Sequence, residues 1–165
     1  MSQAVYIVGA SMTPFGKRRQ DTVKSLTKQS IEAALKDAGL EKSAVQAAWF
    51  SNTRQQMLEG QNTIRGQIAL RAAGIEGIPI INVENACASG STAVHQAMTA
   101  IRAGMTDIAL VVGTDKMVYQ DRPEKVAAAF AGGTDVHDRA SVHDYIIAMG
   151  GEVPGPDRSL FMDLY

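Results

Sequence analysis

The sequence predicts an α/β fold, a mostly parallel sheet with helices on both faces, and three observations carry that reading. Four short apolar runs, Ala4 to Val8, Ala47 to Phe50, Ile78 to Val83 and Ile108 to Val112, are continuous rather than alternating, as strands buried on both faces are. Helical patterns separate the runs, which implies right-handed strand-helix-strand crossovers. With 165 residues, 45% hydrophobic and 20% charged, the chain carries enough apolar material for one sizeable core.

The elements follow in order. After the first run, a helix is expected from Asp21 as N-cap, with Leu26, Ile31, Leu35 and Ala38 on one side and Gly39 as its stop. A second helix is expected from Asn62 to Ala73 before Gly74. Pro79 falls at the start of the third apolar run, where a missing N–H matters least. A third helix is expected from Cys87 to Ala103 before Gly104, with Arg102 as its single charged residue. A helix lacking a polar side expects cover all round, and one sheet covers one side only. That expectation places His95 in a buried setting. From Tyr119 to Pro156 the pattern weakens into Gly, Asp, Pro and His, read as an irregular excursion with one or two short helices. The apolar pattern resumes at Leu160 to Tyr165. The expected organisation is therefore 1–118 as the α/β domain, 119–156 as a loop or lid, and 157–165 as a return to the first domain, cut short.

Charge excludes several functions. Sixteen Lys and Arg against seventeen Asp and Glu give a net charge of -1, so neither nucleic acid nor an anionic membrane is an expected partner. The N-terminus lacks a basic leader region, and no apolar stretch reaches the roughly 18 residues a spanning helix needs. A soluble cytoplasmic protein is expected. A single cysteine, Cys87, can form no intrachain disulfide and no cysteine-cluster metal site.

Cys87 follows the third apolar run by a few residues and is expected to open the third helix. Free N–H groups and the helix dipole at such an end favour an anion, and so a nucleophilic thiolate. The same N–H groups can hold a developing oxyanion, and Ala88, Ser89 and Gly90 leave room for a substrate. The competing reading is a small buried core cysteine; the strand-to-helix position among small residues favours the chemical one.

The run Asn82-Val83-Glu84-Asn85-Ala86-Cys87-Ala88-Ser89-Gly90 resembles the nucleophile segment of thiolases. Gly60 to Gln67 is similar to that family's GQNPARQ-type helix start, and Gly113-Thr114-Asp115-Lys116-Met117 to its GG-x-ESM segment. The last of these and Ser159 to Tyr165 look closest to the sterol-carrier-protein-type branch and acetyl-CoA acetyltransferases. The resemblance implies two similar α/β halves packed in five αβαβα layers, this chain being the N-terminal half. It implies thiolytic cleavage of a 3-oxoacyl-CoA, or the reverse condensation, through an acyl thioester on Cys87, with Met117 against the substrate. It further implies CoA as co-substrate without another cofactor, a homodimer, and room for a second subunit such as a small zinc-ribbon/OB-fold protein. The family's second-half His, Gly-His-Pro and Cys-Gly motifs do not occur among these 165 residues, so the base and proton shuttle are expected from elsewhere. Two alternatives stand beside this reading: a ketosynthase-type condensing enzyme, and a non-catalytic acyl-CoA-binding or scaffold subunit of a hetero-oligomer.

Other residue groups are read more plainly. Asp135, His137, Asp138, His143 and Asp144 could be metal ligands but are expected to form a solvated loop, and no metal is expected. Lys17-Arg18-Arg19 is read as a solvated charge run rather than a CoA phosphate site.

Overall fold

The computed structural model describes residues 4–152, which divide into two compact units, one reaching Val118 and one beginning at Tyr119. The expected segment 157–165 lies outside the described residues. The first unit is α/β. Its sheet has three parallel strands in the order β2-β1-β3, with β1 at Ala47–Ser51, β2 at Ile80–Val83 and β3 at Ala109–Gly113.

All five residues of the central strand β1 are buried, and its alternation divides the core in two. Ala48 and Phe50 belong to a cluster with Val23, Ile31 and Leu35 of α1 (Val23–Ala38) and with Ala69 and Leu70 of the later helix Arg65–Ala72. Ala47 and Trp49 face the opposite way, onto Ala93, Ala97 and Ala100 of the helix Ser89–Arg102. Helices therefore cover both sides of the sheet, as the continuous apolar runs require.

Several boundaries differ from the sequence expectation. The N-cap of α1 is Thr22, whose hydroxyl accepts the Ser25 N–H while Ser25 Oγ accepts the Thr22 N–H. Asp21 sits one residue earlier and accepts from Ser25 Oγ and Arg18. The second expected helix starts later than Asn62, as α3 (Arg65–Ala72), and a short helix that the sequence pattern did not reveal, α2 (Gln55–Glu59), precedes it. They are separated by Gly60 at φ 77° and by Ile64 at φ 47°, both left-handed, which no continuous helix permits. The third expected helix begins as a 3-10 turn at Ala86–Ala88 and becomes α4 only at Ser89–Arg102.

The largest correction concerns Ala4 to Val8. This run is no strand of the sheet: Tyr6 and Ile7 are 79% and 85% exposed. The residues that follow it are held against α1 instead. Ala10 N–H donates to Asp37 and Ser11 Oγ to the Ser30 carbonyl. Gly9 fits so closely that a Cβ there would come within 2.6 Å of the Ala34 oxygen. The expected cover over all faces of α4 is not found among the described residues. Ser89, Ala93, Ala97 and Ala100 are buried on the sheet side, whereas Val94 and His95 are exposed. His95 is thus a surface residue of this unit, pointing away from the single sheet that covers the helix.

The second unit holds α5 (Pro123–Ala131) and α6 (Arg139–Ala148). Pro123 suits a first helical turn, where its missing N–H has no partner to lose. Asp138 caps α6 by accepting the Ser141 N–H. Ala129 and Ile146 are its buried apolar residues.

Candidate functional site

The segment leaving β2 is bent sharply before α4 begins. Asn85 has φ -154° and ψ 51°, and Ala86 follows at φ 45°. Side chains hold this bend. Glu84 Oε1 accepts the Ala86 N–H at 2.8 Å, and Ser89 Oγ accepts the Asn85 N–H at 2.7 Å while donating to the Ala86 carbonyl at 2.7 Å. Asn85 Nδ2 donates to Thr92 Oγ1 one turn further along. The outcome is an exposed, free thiol at Cys87, inside the 3-10 turn and two residues ahead of α4. Small neighbours leave it accessible. Among the described residues no side chain hydrogen-bonds the Cys87 sulfur.

A second network, which sequence reading missed, joins two of the quoted motifs. Asn82 Oδ1 accepts the Gly66 N–H at 2.6 Å, Asn82 Nδ2 donates to Gln67 Oε1 at 2.8 Å, and Gln67 Nε2 donates to the Ile80 carbonyl at 3.0 Å. The start of α3 is thereby locked to β2, the strand that leads to the Cys87 turn. The presence of Asn82 in one motif and of the Gly66-Gln67 pair in the other was the available signal, but their sequence separation hid the contact.

Beyond β3, Asp115 gathers the loop after β1. Its carboxylate accepts from the N–H of Thr53 and Arg54, from Thr53 Oγ1 and from Asn52 Nδ2. Lys116 Nζ donates to the carbonyls of Arg19 and Asp21, anchoring the approach to α1. Met117 is half-buried and lines a cavity of about 210 Å³ with Met12, Pro14, Phe15 and Leu26; Cys87 is not on its wall.

The remaining candidates have local partners. Arg18 binds Asp21 at 2.6 Å, so the basic run is partly spent on its own loop. Beside that guanidinium, and accepting also from Ser25 and Gln29, the Asp21 carboxyl is held below the usual carboxylate range. Asp135 accepts the backbone N–H of His137 and Asp138. Among the described residues no group of three or more His, Cys, Asp or Glu is placed to hold a metal ion.

Residues 5–152 match the family model described as "Thiolase, N-terminal domain". The chain belongs to the thiolase family. Curated relatives agree with that placement. Sterol carrier protein 2 of Gallus gallus is 33% identical over 84% of this chain and 24% of its own length. Acetyl-CoA acetyltransferase of Methanocaldococcus jannaschii is 34% identical over 68% of this chain and 29% of its own length. The benzoylsuccinyl-CoA thiolase subunit BbsB of Thauera aromatica is 30% identical over 89% of this chain and 36% of its own length. The chain therefore spans between about a quarter and about a third of these thiolase-family relatives. In fold it is similar to the priming β-ketosynthase of the R1128 polyketide pathway, with a TM-score of 0.50 at 21% identity over 61% of this chain and 29% of that one. No helix among the described residues is long and apolar enough to cross a membrane.

Proposed function

We propose that this chain is the nucleophile-bearing part of a thiolase-type acyltransferase, in which Cys87 carries the acyl group as a thioester. The observation that supports this most is the exposed Cys87 thiol on a turn fixed by Glu84, Asn85 and Ser89 between β2 and α4. In the cleavage direction the Cys87 sulfur attacks the 3-oxo carbon of a 3-oxoacyl-CoA. The bond between carbons 2 and 3 then breaks, its electron pair stays on carbon 2, and a proton delivered there releases acetyl-CoA or a longer acyl-CoA. CoA next attacks the thioester, takes the acyl group and returns the thiol. Covalent catalysis divides one difficult carbon–carbon cleavage into two easier steps. The reverse sequence is a condensation.

On this reading CoA is co-substrate, no further cofactor takes part, and the protein acts as a homodimer in the cytoplasm. The base for Cys87 and the donor for carbon 2 come from polypeptide outside the described residues, since no described side chain hydrogen-bonds the sulfur. The likeness to the Thauera aromatica relative, a thiolase subunit, favours a second reading, in which this chain works only inside a hetero-oligomer.

The test is to incubate the complete assembly with an acyl-CoA and map the adduct by mass spectrometry. An acyl group on Cys87 is expected, and Cys87→Ala should lower turnover by on the order of a thousandfold or more. Acylation of another residue, or full turnover by Cys87→Ala, overturns the proposal.

A further inference from the structure

Ser89 is the first residue of α4 and is 4% exposed, whereas residues 84–88 are all exposed. A serine at a helix start ordinarily accepts one of the helix's own free N–H groups. Ser89 instead turns its hydroxyl backwards, accepting the Asn85 N–H and donating to the Ala86 carbonyl, both at 2.7 Å. With Glu84 on the Ala86 N–H, side chains hold each of the three peptide planes that precede the Cys87 Cα. The base under them is rigid: Ala93, Ala97 and Ala100 of α4 pack on Ala47 and Trp49 of β1.

These bonds set the direction of one main-chain group. The peptide between Ala86 and Cys87 is trans, so its carbonyl and its N–H point opposite ways. Holding the Ala86 carbonyl toward Ser89 therefore aims the Cys87 N–H away from α4. The neighbouring amides are all engaged: Ala86 N–H on Glu84, Ala88 N–H on the Asn85 carbonyl, and Ser89 N–H on the Ala86 carbonyl. The Cys87 N–H has no partner among the described residues.

We propose that Ser89 is a positioning residue for acyl transfer, its hydroxyl acting through the Ala86 carbonyl to aim the Cys87 N–H at the oxygen of the carbonyl that Cys87 attacks; this rests on the acyl-thioester reading of Cys87. As the sulfur adds to the carbonyl carbon, the π pair of C=O moves onto oxygen. It re-forms the double bond as the leaving group departs with the pair of the bond that breaks and takes a proton. A donor already in place stabilises the transient charge without reorganisation, and a displacement of roughly 1 Å costs on the order of a hundredfold. Alkylation of the same thiol by iodoacetamide is substitution at a saturated carbon and places no charge on a carbonyl oxygen. The two reactions separate the aim of the amide from the state of the sulfur.

The experiment takes the complete assembly and measures single-turnover acylation of Cys87 by a saturating acyl-CoA, beside iodoacetamide alkylation from neutral to alkaline pH. Ser89→Ala should slow acylation by about tenfold to a hundredfold and leave the alkylation profile on the parent's. Ser89→Thr, which keeps the hydroxyl, should recover most of the loss. Ser89→Ala also leaves the Asn85 N–H unpaired and should lower the urea midpoint. Adding Ala86→Gly relieves the left-handed strain, so the double variant should regain the midpoint while acylation stays slow. Recovery of acylation together with the midpoint, Ser89→Thr as slow as Ser89→Ala, or an equal fall in alkylation overturns the proposal. A parent assembly that takes no acyl group on Cys87 overturns the acyl-thioester reading and this one with it, whereas parental acylation in Ser89→Ala overturns this one alone.

Discussion

Glu84 Oε1 accepts the backbone N–H of Ala86 at 2.8 Å, and Ala86 holds a left-handed φ of 45°. Such a conformation costs a residue with a Cβ on the order of 1–2 kcal/mol, and it falls at the position directly before Cys87. The carboxylate and the Ser89 hydroxyl offset that strain by satisfying both main-chain groups of Ala86. Glu84→Ala should therefore lower stability by about 1 kcal/mol, read as a shift in the urea midpoint with unchanged slope. Ala86→Gly in the same background should recover most of it, because glycine adopts this φ without cost. Equal losses in the single and double variants would show that the hydrogen bond does not offset strain.

Two glycines near the site should respond oppositely to alanine. At Gly66 a Cβ would stand 2.7 Å from Phe50 Cβ and 3.0 Å from Asn82 Oδ1. Gly66→Ala should therefore destabilise by roughly 1–3 kcal/mol through overpacking. At Gly90, inside α4, the nearest atom is Ser51 Oγ at 4.0 Å. Gly90→Ala should raise stability by about 0.5–1 kcal/mol. Thermal unfolding of the two variants checks the sign of each.

Removing the Asp115 carboxylate deprives Thr53 and Arg54 of a backbone acceptor and Asn52 of a side-chain one. Asp115→Ala should cost about 1–3 kcal/mol, and it should speed amide exchange at Thr53 and Arg54 more than in α1. Unaltered exchange at those two amides would contradict the role given to the carboxylate.

Asp21 supplies a pH dependence. Its folded-state carboxyl is held low by the Arg18 guanidinium first, and by Ser25 and Gln29. A carboxyl with a depressed folded value contributes stability above its unfolded value, and that contribution disappears as pH falls through the folded value. Asp21→Asn should therefore reduce stability at neutral pH and leave it unchanged at pH well below the carboxylate range. Carboxyl chemical shifts followed during acid titration should place Asp21 below an unperturbed aspartate.

Local features were legible in the amino-acid order alone. Gly39, Gly74 and Gly104 were legible as helix stops because only glycine takes the left-handed conformation there cheaply, and all three have φ between 65° and 78°. The continuous run at Ala47 marked a strand buried on both faces, the run at Ile108 marked a strand buried on one face and partly buried on the other, and small residues around Cys87 marked a thiol between strand and helix. Tertiary structure decided which groups meet. Apolarity at Val5 to Val8 states that a segment needs cover, but not which edge it pairs with, since main-chain hydrogen bonds carry no side-chain identity. The near-uncharged α4 likewise showed a demand for cover that one sheet cannot meet. The Asn82 to Gly66 lock joins residues 16 apart, and only the crossover from α3 to β2 brings them within 2.6 Å. Periodicity reports how a residue faces its own element, whereas pairing depends on where a distant element returns.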